Sequence, residues 1–340
     1  MSGERLAVVL FNLGGPASLS EVRPFLKRLF ADRAIIDLPA VLRLPIAETI
    51  SRARLRSARA NYASLGGASP LLAETKAQAR ALETVLESRG WDARAFIAMR
   101  YARPFSAETA RAVAAFAPQK VVLAPLYPQY STTTTASSLA AWRAVYRGPG
   151  ATHGLCCWFA NQGLIDAHAE AILETWTQAG RPPVRLLFSA HGLPLRIAER
   201  GDPYAWQVEA TCKAIAARLG ESWDWRLCYQ SRVGPLKWLG PSTPEAITDA
   251  ARVGLGVLVD PVSFVSEHVE TLIELDRDYQ LIATAANAPS YLRAPTVSVR
   301  QLFIDGLADA IEGALGRAGL GPAGATCPAR FGRCGWRLAA

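Results

Sequence analysis

Val184-Arg185-Leu186-Leu187-Phe188-Ser189-Ala190-His191-Gly192-Leu193-Pro194 is an apolar run that ends at a histidine and then turns sharply. Such a run, closed by glycine and proline, reads as a buried strand that delivers His191 at its carboxyl end. Similar runs recur at Leu6–Phe11, Ala95–Met99, Val121–Leu126 and Leu255–Val259, each separated from the next by helix-period segments. That alternation predicts an α/β fold: two doubly wound, Rossmann-like domains with parallel sheets and helices on both faces. In such sheets function gathers at the carboxyl ends of the strands, where His191, the Gly14-Gly15 turn and a tyrosine-rich loop all fall.

The turn residues Tyr146-Arg147-Gly148-Pro149-Gly150 suggest a boundary. We expect a first domain over 1–145 and a second over 146–298 carrying His191 and Glu270. A helical pattern at about 299–315 rejoins the first domain, and a Gly- and Pro-rich tail spans 316–340. The chain has 340 residues, half of them hydrophobic, enough for two domains with cores of their own. No apolar run reaches the roughly 18 to 20 residues of a transmembrane helix. Met1-Ser2-Gly3 leads without a signal peptide into a strand-like segment, so the expectation is a cytoplasmic protein or one bound at the cytoplasmic membrane face.

Lysine and arginine number 37 against 29 acids, a net charge of +8 that favours anionic partners. Residues 41–59 mix branched apolar side chains with Arg43, Arg52, Arg54, Arg56 and Arg59. This suits either a lip against anionic lipid or a solvated helix with a basic face. Aromatics do not interleave with these arginines, which argues against nucleic acid. Six cysteines, none in C-x-x-C spacing, point neither to disulfides nor to a zinc site.

Ser266-Glu267-His268-Val269-Glu270-Thr271-Leu272-Ile273-Glu274 offers a second histidine and several acids. On an ideal helix Glu267, Glu270, Glu274 and Asp278 fall within about 80° of one another, with Ser266 as a candidate cap. Such a stripe is either a solvated face or, beside a strand end, part of a site. A cleft histidine accepts a proton or binds a transition metal, and a neighbouring carboxylate passes the proton onward. No serine or cysteine is arranged with a base for hydrolysis.

Taken in order, the motifs resemble those of the ferrochelatases, which insert ferrous iron into a porphyrin. They are Phe11-Asn12-Leu13-Gly14-Gly15-Pro16, Gly66-Gly67-Ala68-Ser69-Pro70, Arg100-Tyr101, Tyr127-Pro128-Gln129-Tyr130-Ser131 and Ser189-Ala190-His191-Gly192-Leu193-Pro194. Gly201-Asp202-Pro203-Tyr204, Gln230-Ser231-Arg232-Val233-Gly234-Pro235, Trp238-Leu239-Gly240-Pro241 and Glu267-His268-Val269-Glu270-Thr271 complete the set. The resemblance runs from Leu6 to about Leu315.

It implies that His191 is the pyrrole proton acceptor or an iron ligand and Glu270 its partner. Glu267 and Glu274 would extend an acidic path for protons or iron, and His268 would stand just behind them. It further implies that Tyr62, Ser69, Arg100, Tyr101, Tyr130 and Trp238 line the porphyrin pocket. Residues 35–59 would form the apolar lip through which a membrane-soluble porphyrin enters from an anionic membrane surface. The expected reaction joins Fe2+ and protoporphyrin IX to give protohaem, the terminal step of haem biosynthesis. Insertion of another metal into another tetrapyrrole, coproporphyrin among them, and a non-catalytic haem or metal carrier stay open, as does a homodimer.

Some ferrochelatases hold a [2Fe-2S] cluster through one internal and three C-terminal cysteines. Here the tail has only Cys327 and Cys334, and Ala167 stands at the internal position. Cys156 and Cys157 would supply the remaining thiolates if the tail folds back.

Overall fold

The computed structural model describes residues 4–232, 234 and 236–337; Val233 and Pro235 of the Gln230–Pro235 motif, Met1-Ser2-Gly3 and the last three tail residues lie outside them. In chain order the elements are β1 (Arg5–Asn12), α1 (Val22–Ala31), α2 (Ala40–Ser64), α3 (Leu71–Ser88), β2 (Asp92–Met99), α4 (Ser106–Phe116), β3 (Lys120–Pro125), α5 (Thr135–Val145), β4 (Ala151–Leu155) and α6 (Gln162–Gln178). The second half holds β5 (Val184–His191), α7 (Leu195–Glu199), α8 (Tyr204–Leu219), β6 (Trp225–Gln230), α9 (Thr243–Arg252) and β7 (Gly256–Asp260). A π-helix (Glu270–Asp278), α10 (Tyr279–Ala285), β8 (Tyr291–Arg293), α11 (Gln301–Leu315) and β9 (Gly319–Gly321) follow.

Two parallel sheets result, ordered β2-β1-β3-β4-β9 and β6-β5-β7-β8. Strand β1 explains why its sequence is apolar without alternation, since it is covered on both faces. Leu6, Val8 and Leu10 pack with side chains of α3 and α11, whereas Ala7, Val9 and Phe11 pack with those of α4 and α5. Strand β5 repeats the arrangement: Leu186, Phe188 and Ala190 join the cluster containing α8, and Leu187 joins that of α9 and α10.

The chain leaves the first sheet later than the turn at 146–150 suggests. Strand β4, beyond that turn, pairs with β3, and β9 from the tail pairs with β4. Ala151-Thr152-His153-Gly154-Leu155 is too short and too mixed to announce a buried strand, so only its register reveals it. The tail is therefore partly an edge of the first sheet.

The loop after β3 ties the two halves together. Asp202 accepts from the Thr132 backbone N–H and hydroxyl, both at 2.7 Å, and from the Ser131 hydroxyl at 3.1 Å. The Tyr130 N–H donates to Gln207 Oε1 at 2.6 Å, and Gln129 Nε2 donates to Thr211 Oγ1 at 3.1 Å. Ser131 and Thr132 of the hydroxyl row thus anchor structure.

Candidate active site

Between the carboxyl ends of the two sheets lies a cleft of about 490 Å³. Its walls are mainly apolar, with Phe30, Ile35 and Ile50 on one side and Leu193, Trp238 and Phe264 on the other. His191, His268 and Glu270 face into it.

His191 ends β5, and its backbone is held from two directions: its N–H donates to Ser263 Oγ at 2.9 Å, and the Tyr204 hydroxyl donates to its carbonyl at 3.0 Å. Gly192 is required just beyond, because a Cβ there would stand 2.7 Å from the Gln230 carbonyl oxygen. His191 Nδ1 lies 3.0 Å from Glu270 Oε2, with 40% of the histidine side chain and 26% of the glutamate side chain exposed, so the pair opens to the cleft. A carboxylate at Nδ1 fixes the proton on that nitrogen and leaves the Nε2 lone pair as the basic site. Burial opposes charge on His191, but the Glu270 carboxylate outweighs it and holds the imidazole pKa above its ordinary value. Burial likewise opposes charge on Glu270, and His191 with His268 holds its carboxyl well below the usual range.

Glu270 begins a π-helix, whose wider turn alters which side chains share a face. Glu270 and Glu274 are bridged by Ser231, whose hydroxyl lies 3.2 Å from Glu270 Oε2 and 2.5 Å from Glu274 Oε2. The Ser231 N–H also donates to Glu274 Oε1 at 2.8 Å, and the Tyr279 hydroxyl donates to the same oxygen at 2.6 Å. Ser231 has φ +61°, a left-handed conformation that a non-glycine residue adopts at a cost, and such strain collects at functional sites. His268 Nε2 stands 3.8 Å from Glu270 Oε2 while its Nδ1 is 3.2 Å from the Ser266 carbonyl. Phe264 packs against that ring with centroids 4.5 Å apart.

Glu267 does not join this group. It precedes the helix and accepts from Arg293 at 2.6 Å and from the Thr296 N–H at 2.9 Å, while Arg293 also grips Asp276. Asp278 pairs with its neighbour Arg277. The four-acid stripe is therefore broken, because the ideal 100° spacing does not hold across a late-starting π-helix. Ser266 does not cap the helix either: its hydroxyl donates to Gln78 on α3 at 3.0 Å. If Glu267 is a structural partner of Arg293, Glu267→Gln should lower stability by about 1–3 kcal/mol, the cost of weakening a buried charged hydrogen bond. Denaturant midpoints should report that loss with kcat unchanged; an intact midpoint with reduced kcat would return Glu267 to the catalytic path.

Of the side chains expected at the porphyrin, Trp238 lines the cleft. Tyr62 is buried among α1 and α2 side chains, and burial first, then the Glu270 charge, raises its phenol pKa. Ser69 abuts the Gly14-Gly15 turn, and its hydroxyl accepts from the Leu71 N–H at 3.3 Å just before α3. Arg100 and Tyr101 both hold Asp32, at 2.6 and 2.7 Å, and Arg100 also donates to Ser137. Tyr130 turns away, into a buried cluster with Cys156, Cys157, Cys327 and Cys334. The roles of Ser231, Ser263, Tyr204 and Arg293 escape motif reading, although Ser231 follows a strand end where a functional hydroxyl is worth seeking.

In the cysteine cluster Cys156 Sγ and Cys157 Sγ are 3.4 Å apart, and Gln207 Nε2 donates to Cys327 Sγ at 3.0 Å. Hydrogen bonds from Cys157 and then Cys334 hold the Cys327 thiol pKa below its ordinary value. Gly335 is forced by contact, since a Cβ there would meet the Tyr130 ring at 2.4 Å. Among the described residues, no three His, Cys, Asp or Glu side chains converge to hold a single ion.

Two parallel α/β sheets flanking a cleft with a histidine–glutamate pair at its base define a protein of the chelatase fold. Solved structures agree: SirB from Bacillus subtilis with Fe3+ matches with TM-score 0.50 at 10% identity over 92% of this chain and 95% of that one. A multi-domain protein of Deinococcus radiodurans, similar to chelatases, matches with TM-score 0.50 at 13% identity over 91% of this chain and 55% of that one. The ferrochelatase family profile matches residues 5–315. The ferrochelatase of Phenylobacterium zucineum is 57% identical, covering 98% of both chains, and that of Caulobacter vibrioides is 54% identical, covering 99% of this chain and 96% of its own. The chain belongs to the ferrochelatase family, metal-inserting enzymes of haem biosynthesis.

Proposed function

We propose that the chain inserts Fe2+ into protoporphyrin IX within this cleft, with His191 as the base that removes pyrrole protons. The observation that carries the reading is the 3.0 Å contact between His191 Nδ1 and Glu270, which leaves Nε2 free to accept. Metallation releases two protons, and each needs an exit. His191 takes them one at a time at Nε2: Glu270 stabilises the imidazolium, the first proton leaves along the Ser231–Glu274 relay, and the regenerated imidazole then accepts the second.

Iron is a substrate here and must be released to the porphyrin. A site offering His191 and Glu270, with Glu274 behind them, grips a divalent ion less firmly than a closed cage of four ligands. Apolar walls exclude water, so the ring nitrogens and His191 exchange protons without a competing solvent base. Trp238 offers a flat face to the macrocycle.

The lip supports peripheral attachment to an anionic membrane on its cytoplasmic side. Val41, Leu42, Leu44 and Ile46 of α2 are all exposed, Val41 by 77%, on a segment carrying Arg43, Arg52, Arg54 and Arg56. No helix among the described residues is long and apolar enough to cross a membrane.

The four cysteines fit a [2Fe-2S] cluster in number, softness and burial, and hydrogen bonds from Cys157 and Cys334 favour the thiolate form of Cys327. A two-iron cluster needs two thiolates per iron, not three donors around one ion. When bound it would supply one-electron chemistry at the tail, remote from the proton transfers above.

Anaerobic absorbance tests the reading. Protein mixed with protoporphyrin IX and Fe2+ should convert the free-base Q bands to the metallated spectrum faster than a protein-free control. A bound porphyrin that stays metal-free shifts the assignment to another metal, another tetrapyrrole or a carrier. The same preparation, before porphyrin is added, should show sulfide-to-iron charge-transfer bands if the cysteines hold a cluster.

A further inference from the structure

The cleft raises a problem of charge. A porphyrin of this pathway carries carboxylates, yet Arg196 is the only arginine or lysine lining the cleft among the described residues. Arg100, the obvious alternative, is already bound to Asp32 and Ser137. Carboxylates left in an apolar cleft without partners would oppose binding, because desolvated charge there goes uncompensated.

A second cavity, of about 370 Å³, opens beside the first and shares Ile35, Arg196 and Ile197 with it. Its charged lining is Arg33, Arg196, Arg200, Arg333 and Asp37. Asp37 pairs with Arg33 at 3.3 Å and with Arg200 at 3.4 Å, so one carboxylate faces four guanidinium groups. Arg196 and Arg333 enter no ion pair among the described residues. The four come from separate parts of the fold. Arg33 follows α1, Arg196 lies on α7, Arg200 follows it, and Arg333 belongs to the tail, which is docked there by its own N–H to the Gly201 carbonyl at 3.2 Å.

We propose that this pocket is the carboxylate subsite of the enzyme: the macrocycle lies in the apolar cleft, its carboxylates pass Arg196, and Arg200, Arg33 and Arg333 receive them. Arginine suits the task because its planar fork meets a carboxylate with two parallel hydrogen bonds. The tail thereby takes part in substrate recognition, with Arg333 placed next to Cys334. The inference rests on the porphyrin reading above and names where that substrate's charge is met.

The ligand chemistry is an oxyanion, and it has two sources, the porphyrin itself or a free small anion. Fluorescence titration of the full chain separates them, using protoporphyrin IX as free acid and as its dimethyl ester. Arg196→Ala and Arg200→Ala should each weaken the free acid roughly 10-fold, and the pair of substitutions up to about 100-fold, while ester affinity is unmoved. Arg196→Lys, which keeps the charge and loses the fork, should fall between; Arg333→Ala should act in the same direction. These side chains are exposed, so folding is not at risk, and circular dichroism of each variant checks it.

Inorganic phosphate should compete with the free acid and leave the ester untouched. Equal losses for acid and ester, or no loss for either, overturn the proposal. Phosphate that raises the melting temperature without displacing the free acid also overturns it, assigning the pocket to a free anion. Failure of the unaltered protein to bind either form would instead sink the porphyrin reading itself.

Discussion

His191→Ala is expected to reduce kcat for iron insertion by about 10²- to 10⁴-fold, the range typical of a lost general base, while changing porphyrin affinity by less than about threefold. Two facts set these magnitudes apart. The side chain is 40% exposed and makes one polar contact, to Glu270, so its removal opens no core cavity and the backbone ties to Ser263 and Tyr204 survive. In the proposed binding mode the porphyrin is held by the apolar walls, Trp238 and the adjoining arginine pocket, all of which the substitution leaves in place. What disappears is the Nε2 lone pair, and no other residue replaces it. His268 reaches the cleft wall but is buried against Phe264, with Nδ1 beside the Ser266 carbonyl and Nε2 directed toward Glu270. Stopped-flow metallation beside equilibrium fluorescence titration separates kcat from binding. A variant that loses affinity but keeps its turnover number would make His191 a binding residue and remove the proton-transfer role.

How far the sequence alone reaches differs between fold and site. Strands β1, β3, β5 and β7 announce themselves because both faces are buried and nearly every side chain is apolar. Strands β4, β6, β8 and β9 do not. Trp225-Arg226-Leu227-Cys228-Tyr229-Gln230 mixes exposed and buried positions, and Gly319-Leu320-Gly321 is three residues whose pairing is decided by β4. Periodicity cannot see partners chosen by tertiary contact.

The site obeys the same limit. His191 and Glu270 are legible because one ends a strand and the other opens a helix at the same end of a sheet. Glu267 is misread by pattern alone because Arg293, 26 residues later, claims it. Arg100 looks like a substrate cation until Asp32, 68 residues earlier, is placed against it. Tyr130 sits in a loop of pocket-lining appearance, yet the tail draws its ring to the cysteines. Buried charges and aromatics take the partners that satisfy them, and those lie far away in sequence.

Glu270→Gln should move the acid limb of the pH profile to lower pH and reduce the maximal rate. In the unaltered protein burial disfavours the imidazolium, but Glu270 and, more weakly, Glu274 override it, so His191 loses its basic form at a pH above the ordinary value near 6.5. As pH falls through that raised value, Nε2 is protonated and kcat/KM falls. Glutamine keeps the shape and removes the charge. Burial then acts with only Glu274 against it, and the imidazole stays neutral to lower pH.

The rate falls despite this larger basic fraction, by roughly 10- to 100-fold, because a weaker base with an unsupported imidazolium is a poorer proton acceptor. Stability gives an independent check. The charged pair stabilises the fold where His191 is protonated and Glu270 ionised; that contribution is lost as pH rises through the raised histidine value or falls through the depressed carboxyl value. The melting-temperature difference between the two proteins should therefore be largest in mildly acidic buffer and shrink at alkaline pH. An acid limb that stays put, or moves upward, would mean that Glu270 does not set the protonation of His191, and the proton path through Ser231 and Glu274 would lose its first step.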